Sequence, residues 1–230
     1  MDEATANVAR AATAGGRAVV AISGFDRLGD CRLTALRRGA RYQRIVTAFV
    51  PPGQEAATLD RIAAGLPSPY GATVRRGAAP RLTADAGFFV GVTGEYIAPG
   101  QLRFVVDTGN CRVETAPLAP GPGEASETDP PTALQAPIDA VLTSLRVVPA
   151  EWTTHTVSCP DGTVVRSAWA LGEPGVAATD RLADALRDLT GDGAILATPD
   201  AVAYRTGTVG VSVRTVDDQL TITATTVCTA

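Results

Sequence analysis

Lysine does not occur in this 230-residue sequence, and all 20 basic residues are arginine. Histidine and methionine occur once each, and aromatic residues make up only 5% of the chain. Alanine, valine, threonine, glycine and proline are abundant instead, a bias typical of GC-rich genomes that explains the arginines without a special role for them. One histidine and four widely separated cysteines give no cluster of metal ligands, so we expect neither a metal site nor a bound cofactor.

A nucleophile motif is also missing. The sequence contains no Gly-x-Ser-x-Gly turn, which α/β-hydrolases use to present a catalytic serine. The single histidine, His155, alternates along a strand-like run with Val157 and Cys159, which indicates a packed, structural histidine. The sequence therefore predicts no catalytic residue, and we expect a protein that is not an enzyme.

A signal peptide and a long apolar run are absent as well. Met1 opens directly on sequence typical of a mature protein. We therefore expect that Met1 begins an expressed form from which a natural export signal was removed.

The strongest positive feature is an internal repeat. The stretches Asp60–Leu66 and Asp180–Leu186 share an acidic residue, an arginine, an apolar residue, an alanine and a closing leucine. Self-similarity that continues on both sides of such a stretch indicates a duplicated unit. The further matches, in the same order, are Cys31 with Cys159, Val90–Val92 with Val209–Val211, Gln101–Leu102 with Gln219–Leu220, and Cys111 with Cys228.

The spacing of apolar residues predicts the same elements in both repeats. We expect an α+β fold with two tandem repeats, each an antiparallel β-sheet packed against helices in the order α-β-β-α-β-β-β. Residues 1–113 form the first repeat and residues 132–230 the second. Residues 114–131, rich in proline and glycine, are predicted to be an exposed linker.

The four cysteines are predicted to form one disulfide in each repeat. Four cysteines allow three pairings, and only the repeat selects Cys31 with Cys111 and Cys159 with Cys228. Disulfides of this kind imply an oxidising compartment outside the cytoplasm.

The two repeats differ in charge. Residues 1–113 contain 14 arginines and 9 acidic residues, a net charge of +5, whereas residues 114–230 contain 6 and 15, a net charge of −9. Opposite signs indicate either attraction between the halves or two surfaces with different partners. A basic patch for an anionic partner is predicted in the first repeat, unless these arginines merely solvate an outer sheet face. Its residues are Arg37, Arg38, Arg41, Arg44, Arg75 and Arg76.

A resemblance to known proteins begins at Arg41–Gly53. The chain resembles secreted proteins and lipoproteins of actinobacteria whose function is not characterised. The resemblance lies in this run, in the helix from Leu59 to Leu66 and in the strands that end in cysteines. The resemblance implies export, often with a lipid-modified N-terminal cysteine that this chain lacks, and it brings no catalytic residues. Tandem α/β units with one disulfide each are also similar in layout to secreted β-lactamase-inhibitor proteins.

Two functions remain open from the sequence. The first is a non-enzymatic binding protein of the cell envelope, secreted or anchored to the outer face of the cell membrane. Its partner would be an unknown envelope protein or polymer, not nucleic acid, and it would reach a membrane only through a natural N-terminal lipid anchor. The alternative is a carrier that holds a lipid or other apolar ligand between sheet and helix, which predicts an enclosed cavity on the order of several hundred Å³.

Overall fold

The computed structural model describes residues 1–77, 79–113, 132–172, 182–216 and 219–228. The predicted linker, 114–131, lies outside the described residues. The same holds for Asp180 and Arg181 of the second repeated stretch.

The first half forms an antiparallel sheet, sheet A, with two α-helices. Its strands lie in the order β1-β2-β6-β5-β4-β3, and the two-residue strand β7 pairs with β2. A 3-10 turn, Ser68–Tyr70, follows the second helix. The elements are α1 (Asp2–Thr13), β1 (Val19–Arg32), β2 (Arg38–Phe49), α2 (Glu55–Gly65), β3 (Thr73–Arg75), β4 (Arg81–Asp85), β5 (Val90–Ala98), β6 (Gln101–Thr108) and β7 (Arg112–Val113).

The second half forms sheet B in the same way. Its strands lie in the order β10-β11-β12-β13-β9-β8, and a 3-10 turn, Gly191–Gly193, precedes β10. The elements are α3 (Thr132–Leu145), β8 (Glu151–Ser158), β9 (Val164–Leu171), α4 (Leu182–Ala185), α5 (Arg187–Thr190), β10 (Ala194–Ala197), β11 (Ala201–Thr206), β12 (Val209–Val216) and β13 (Gln219–Thr225).

The two halves share one topology. Numbered within its own half, each sheet has the strand order 1-2-6-5-4-3, and all pairs are antiparallel. The predicted α+β fold with two repeated halves is therefore confirmed. Within the six-strand order each half has four strands after its second helical segment, one more than predicted, and the first half adds β7. Strand β4 was not predicted, and the predicted strand 201–216, expected to break near Gly207, is divided there into β11 and β12.

Both predicted disulfides form. Cys31 bonds to Cys111 and Cys159 bonds to Cys228, with Cα–Cα distances of 5.7 and 6.0 Å. In each half the bridge joins the end of the first strand to the segment after the sixth. These two strands flank the second strand, so the disulfide closes the sheet across the end of that strand.

Helix α1 lies at the centre of the molecule and is made mostly of small residues. It contacts α2, β1 and β2 of its own half and β8 of the other half. The small side chains allow close approach, since a Cβ added to Gly65 of α2 would lie 3.1 Å from Ala11 Cβ. The core around α1 includes residues of both halves, so the halves do not have separate interiors. The second-half residues in this core are Val157, Cys159, Val165 and Cys228.

Strand β1 joins the two sheets through its alternating side chains. Val20 and Ile22 pack in the α1 core, whereas Val19 and Ala21 pack against sheet B in a separate cluster. Period-two alternation sends successive side chains to opposite faces, so both faces of β1 are buried here. The sheet B residues in that cluster are Leu196, Ala201 and Ala203, with Trp169 and Ile195 partly buried beside them.

The contacts along β1 show that it crosses sheet B at a steep angle. Val19 packs on Gly210 of β12, where an added Cβ would lie 3.0 Å from Val19 Cγ1. Trp169 Nε1 of β9 donates a hydrogen bond to the Ile22 carbonyl at 2.8 Å. Gly24 lies against the ring of His155 in β8. The six residues Val19–Gly24 of β1 thus pass from β12 to the edge strand β8, and the rest of β1 continues towards its hairpin with β2.

Removing the Cys31–Cys111 bridge by alanine at both positions should lower the free energy of unfolding by about 4 kcal/mol. The reason is that the bridge closes a loop with a sequence separation of 80 residues in the unfolded chain. Chemical denaturation followed by far-UV circular dichroism measures the change. The Cys159–Cys228 pair, with a separation of 69 residues, should give a similar loss. An unchanged denaturation midpoint for both variants would contradict this account.

Trp169→Phe should lower the free energy of unfolding by about 1–2 kcal/mol, because the Ile22 carbonyl loses its donor at a junction that excludes water. Trp152→Phe is the matched control, since Trp152 is a partly buried ring that packs into the other face of sheet B. Thermal denaturation of the two variants should show the larger loss for Trp169→Phe. Equal losses would mean that the hydrogen bond to Ile22 contributes nothing.

Candidate functional site

Arg44 does not belong to a surface patch, so this part of the sequence prediction is wrong. Its side chain is 0% exposed, and Nη1 lies 2.9 Å from Asp2 Oδ1 of α1. The same nitrogen donates to the Thr156 carbonyl of β8 at 3.2 Å, and the guanidinium lies 3.9 Å from the centre of the Phe25 ring. A carboxylate, a carbonyl and an aromatic face together compensate for desolvation. Arg44 therefore ties α1, β2 and β8 together.

The other five predicted patch residues are exposed but lie at two places. Arg37, Arg38 and Arg41 lie at the β1–β2 hairpin, and Arg75 and Arg76 lie at the end of β3. Strands β2 and β3 are four positions apart in sheet A, roughly 19 Å. The two sets of arginines also lie at opposite ends of their strands. A single patch over both sets is therefore not formed.

Exposed apolar side chains gather at one end of sheet A. The β1–β2 hairpin and the β4–β5 turn both project from this end, because β1, β4 and β6 run towards it and β2 and β5 run away from it. Of the nine large apolar side chains that are exposed among the described residues, five lie here. We call these five, together with three exposed arginines, the distal end. The residues are Leu28, Leu33, Leu36, Phe88 and Phe89, with Arg32, Arg37 and Arg38.

The β4–β5 turn holds two phenylalanines in solvent. Phe88 is 90% exposed and Phe89 is 66% exposed, and their φ angles are 51° and 60°. Left-handed backbone costs a non-glycine residue about 1–2 kcal/mol. The Arg112 guanidinium donates to the Phe88 carbonyl at 2.6 Å, and the Gly109 amide donates to the Phe89 carbonyl at 2.8 Å. The rings are thus kept exposed by a turn that is fixed from its backbone side.

The β1–β2 hairpin carries Leu36, which is 97% exposed and is the most exposed large apolar residue of the distal end. The Leu33 amide donates to the Arg37 carbonyl at 2.9 Å, which closes the tip. At its base the hairpin is fixed by the Cys31–Cys111 bridge. Gly39 lies directly beneath, where an added Cβ would meet the Arg112 carbonyl at 2.2 Å. Cys111 and Arg112 therefore brace both turns of the distal end at once.

The corresponding turns of the second half are shorter and differently composed. Three residues, Pro160, Asp161 and Gly162, connect Cys159 to Thr163 where seven connect Cys31 to Gly39 in the first half. The β11–β12 turn is only Gly207 and Thr208, since Thr206 pairs with Val209. The fold therefore closes both turns without the leucines, the phenylalanines or the arginines of the distal end.

The charge of the distal end is not cancelled locally. Over the part of the chain that the structure describes, no carboxylate forms an ion pair with Arg32, Arg37 or Arg38. The nearby carboxylate of Asp30 already pairs with Arg27 at 2.5 Å. Arg41 differs, because it lies near Asp107: partial burial raises the pKa of Asp107 and the charge of Arg41 opposes that rise. The uncompensated charge thus belongs to the tip.

The recesses near α1 are open clefts. Three of them, of 420, 410 and 430 Å³, are bordered by Glu3 in the first turn of α1, and the first and third also by Pro160 of the second half. A smaller one of 280 Å³ lies at the base of the distal end between Cys31, Arg32 and Arg38. These clefts differ from the enclosed apolar cavity that a carrier requires.

His155 and Trp169 have structural surroundings. Their ring centres are 6.2 Å apart in an edge-to-face arrangement, at the crossing of β1 and sheet B. Within the described ranges, no group of three or more His, Cys, Asp or Glu residues could hold a metal ion. No helix among those residues is long and apolar enough to cross a membrane.

Sequence reasoning identified Arg37 and Arg38 but missed the apolar part of the distal end. The run Gly87–Ile97 looks like one strand, because Phe88, Phe89, Val90 and Val92 all favour β structure. The usable signal was the step from Asp85 to Gly87, which is typical of a turn between two strands.

Comparison with known protein families and curated sequences gives no relative. No family model matches the chain, and no curated protein sequence matches it either. The resemblance to secreted actinobacterial proteins therefore stays a prediction.

Phe88→Gly should be about 1 kcal/mol more stable than Phe88→Ala. Both variants remove an exposed ring, but alanine keeps the Cβ that disfavours left-handed φ and glycine does not. Comparing these two with each other isolates the backbone effect from the loss of the ring. Urea denaturation of both variants measures the difference. The control pair is Leu36→Gly and Leu36→Ala, since the structure gives Leu36 no left-handed φ and alanine should then be the more stable.

Proposed function

We propose that this protein is a non-enzymatic binding protein that works outside the cytoplasm and binds an anionic component of the cell envelope with its distal end. One observation carries the proposal. Arginines that pair with no carboxylate of the described residues and exposed apolar side chains project together from the end of sheet A that extends past the described strands of sheet B. Exposed apolar groups clustered in this way mark interaction sites in soluble proteins.

The chemistry of the distal end supports binding more than catalysis. Its charged groups are guanidiniums, which are hydrogen-bond donors and have no acceptor atom. They suit carboxylates and phosphates, to which a guanidinium can donate two parallel hydrogen bonds. An exposed leucine or phenylalanine adds about 1.5–3 kcal/mol if a partner buries it fully.

The two disulfides support a location outside the cytoplasm. Such bonds form and persist in oxidising compartments. Secretion, or attachment to the outer face of the cell membrane by an N-terminal lipid, is the finer form of the proposal and rests on the actinobacterial resemblance. In that compartment, anionic lipids, anionic polymers and acidic proteins are the available partners, and nucleic acid is not.

The carrier alternative has less support. It needs a closed apolar cavity between a sheet and its helices, whereas the recesses near α1 are open clefts. Helices α1 and α2 also approach closely, since a Cβ added to Gly65 would lie 3.1 Å from Ala11 Cβ.

A transplant between the two halves tests the proposal. Residues 32–38 are replaced by Pro-Asp-Gly, the connection that the second half uses between Cys159 and Thr163. Association with envelope fragments of the producing cells, measured by co-sedimentation, should fall at least about tenfold, because Leu33, Leu36 and the three arginines are removed together.

The matched control reverses charge at the other end of the sheet, with Arg75→Glu and Arg76→Glu in one variant. Formation of both disulfides and thermal denaturation establish that each variant folds. If the folded transplant sediments with envelope fragments as well as the parent chain does, the distal end is not the binding surface.

A further inference from the structure

We infer that the distal end docks on the surface of an anionic lipid bilayer, with Leu36, Phe88 and Phe89 entering the boundary between headgroups and acyl chains. This inference rests on the proposed function and names the partner. It is independent of any lipid anchor, since it needs only residues that the structure describes.

The shape of the distal end favours a bilayer. Its most exposed apolar residues, Leu36 and Phe88, lie at the tips of two separate projecting turns. The hairpin continues for three residues beyond the Asp30–Ala40 pair, about 10 Å at the usual rise of a strand. Peptide and small-molecule sites are concave and surround their ligand. A convex pair of apolar tips instead suits a soft planar partner that can close around each side chain.

The order of the residues along the hairpin also suits a bilayer. Leu33 and Leu36 lie at the tip, whereas Arg32 and Arg38 form a cross-strand pair just behind them. A chain that enters a bilayer surface tip first would bring these guanidiniums to the depth of the phosphates. Aromatic and aliphatic side chains bordered by arginine are the usual composition of interfacial segments.

The net charges of the two halves differ in a way that favours an orientation with the distal end towards the bilayer. Residues 1–113 carry a net charge of +5, whereas the described residues of the second half contain five arginines and seven acidic residues, a net charge of −2. Sheet B contacts β1 at Val19, Ile22 and Gly24, which lie in the part of β1 farthest from the distal end. An anionic surface therefore attracts the first half, and the distal end with it, more strongly than the described part of the second half, which favours an orientation with the tip towards the surface.

The backbone conformation of the β4–β5 turn supports a binding role for the rings of Phe88 and Phe89. Phe88 and Phe89 keep left-handed φ angles without burying their rings against the rest of the chain. The second half uses Gly207 with φ 58° at the equivalent turn, which needs no such residues. A pair of exposed phenylalanines at this position is therefore explained by contact with something outside the chain.

Vesicle flotation tests the inference. The whole protein is mixed with vesicles of phosphatidylcholine alone, or of phosphatidylcholine and phosphatidylglycerol in equal amounts. It should float with the mixed vesicles and much less with the neutral ones. Leu36→Ser and Phe88→Ser should each lower the partition coefficient about tenfold or more, since each removes one inserted apolar side chain. Arg37→Glu with Arg38→Glu should abolish the preference for phosphatidylglycerol.

Two matched controls lie in the second half. Val148→Ser removes another apolar side chain with 81% exposure, and Arg166→Glu reverses another exposed arginine. Both should leave flotation unchanged. If Val148→Ser lowers flotation as much as Leu36→Ser does, contact is not confined to the distal end and the inference fails.

Insertion has its own readout. The two native tryptophans, Trp152 and Trp169, lie in sheet B. In Leu36→Trp the added indole should be quenched by brominated lipids, and the native tryptophans should not. Flotation that depends on the arginines but survives Leu36→Ser and Phe88→Ser, without quenching at position 36, would overturn insertion in favour of surface adsorption.

Failure of this inference can be told apart from failure of the proposed function. If the parent chain floats with neither type of vesicle, the bilayer is not the partner. The transplant variant then decides: loss of sedimentation with envelope fragments points to an anionic polymer or an acidic protein at the same surface. Unchanged sedimentation would remove both proposals.

Discussion

The crossing of β1 over sheet B is the contact on which the rest of the structure depends. One face of β1 packs in the α1 core and the other face packs on the second sheet, so a single strand belongs to two interiors. Its backbone is also satisfied from the second half, because Trp169 donates to the Ile22 carbonyl and Arg205 donates to the Ala18 carbonyl. An edge strand with unpaired groups is a hazard for aggregation, and here the duplicated half covers that edge.

The same crossing determines where a binding surface can be. Since β1 passes the edge strand β8 at Gly24, the described strands of sheet B lie against the first part of β1, and the leucines of the hairpin that follows are exposed. The Cys31–Cys111 bridge and Arg112 then hold the hairpin and the β4–β5 turn at a common base. The distal end is therefore rigid at its base and exposed at its tips, which allows apolar side chains to project without collapsing onto the protein.

The sequence was sufficient wherever a local pattern or the repeat decided the outcome. The cysteine pairing followed from equivalent positions in the two repeats, and the α+β class with two similar halves followed from periodicity. Arg44 shows where such reasoning stops. It follows Arg41 by three residues in a strand-like run, so the sequence predicts an exposed side chain. In the structure it contacts Asp2, Thr156 and Phe25, which lie on three other elements. Contacts that distant in sequence have no local signature, and neither does the packing of one sheet on the other.

Duplication provides an internal reference for which features the fold itself requires. Strand order, disulfide position and buried alternation are the same in both halves, so these belong to the common architecture. The two turns of the distal end are not shared: the second half closes them with Pro160–Gly162 and with Gly207–Thr208. The same strand order can thus be built without Leu36, Phe88 or the tip arginines, which are exposed and contribute little to the core. These residues occur together at one end of one half only, so they depart from the shared architecture. Stability does not account for this departure, whereas the proposed contact with a partner does.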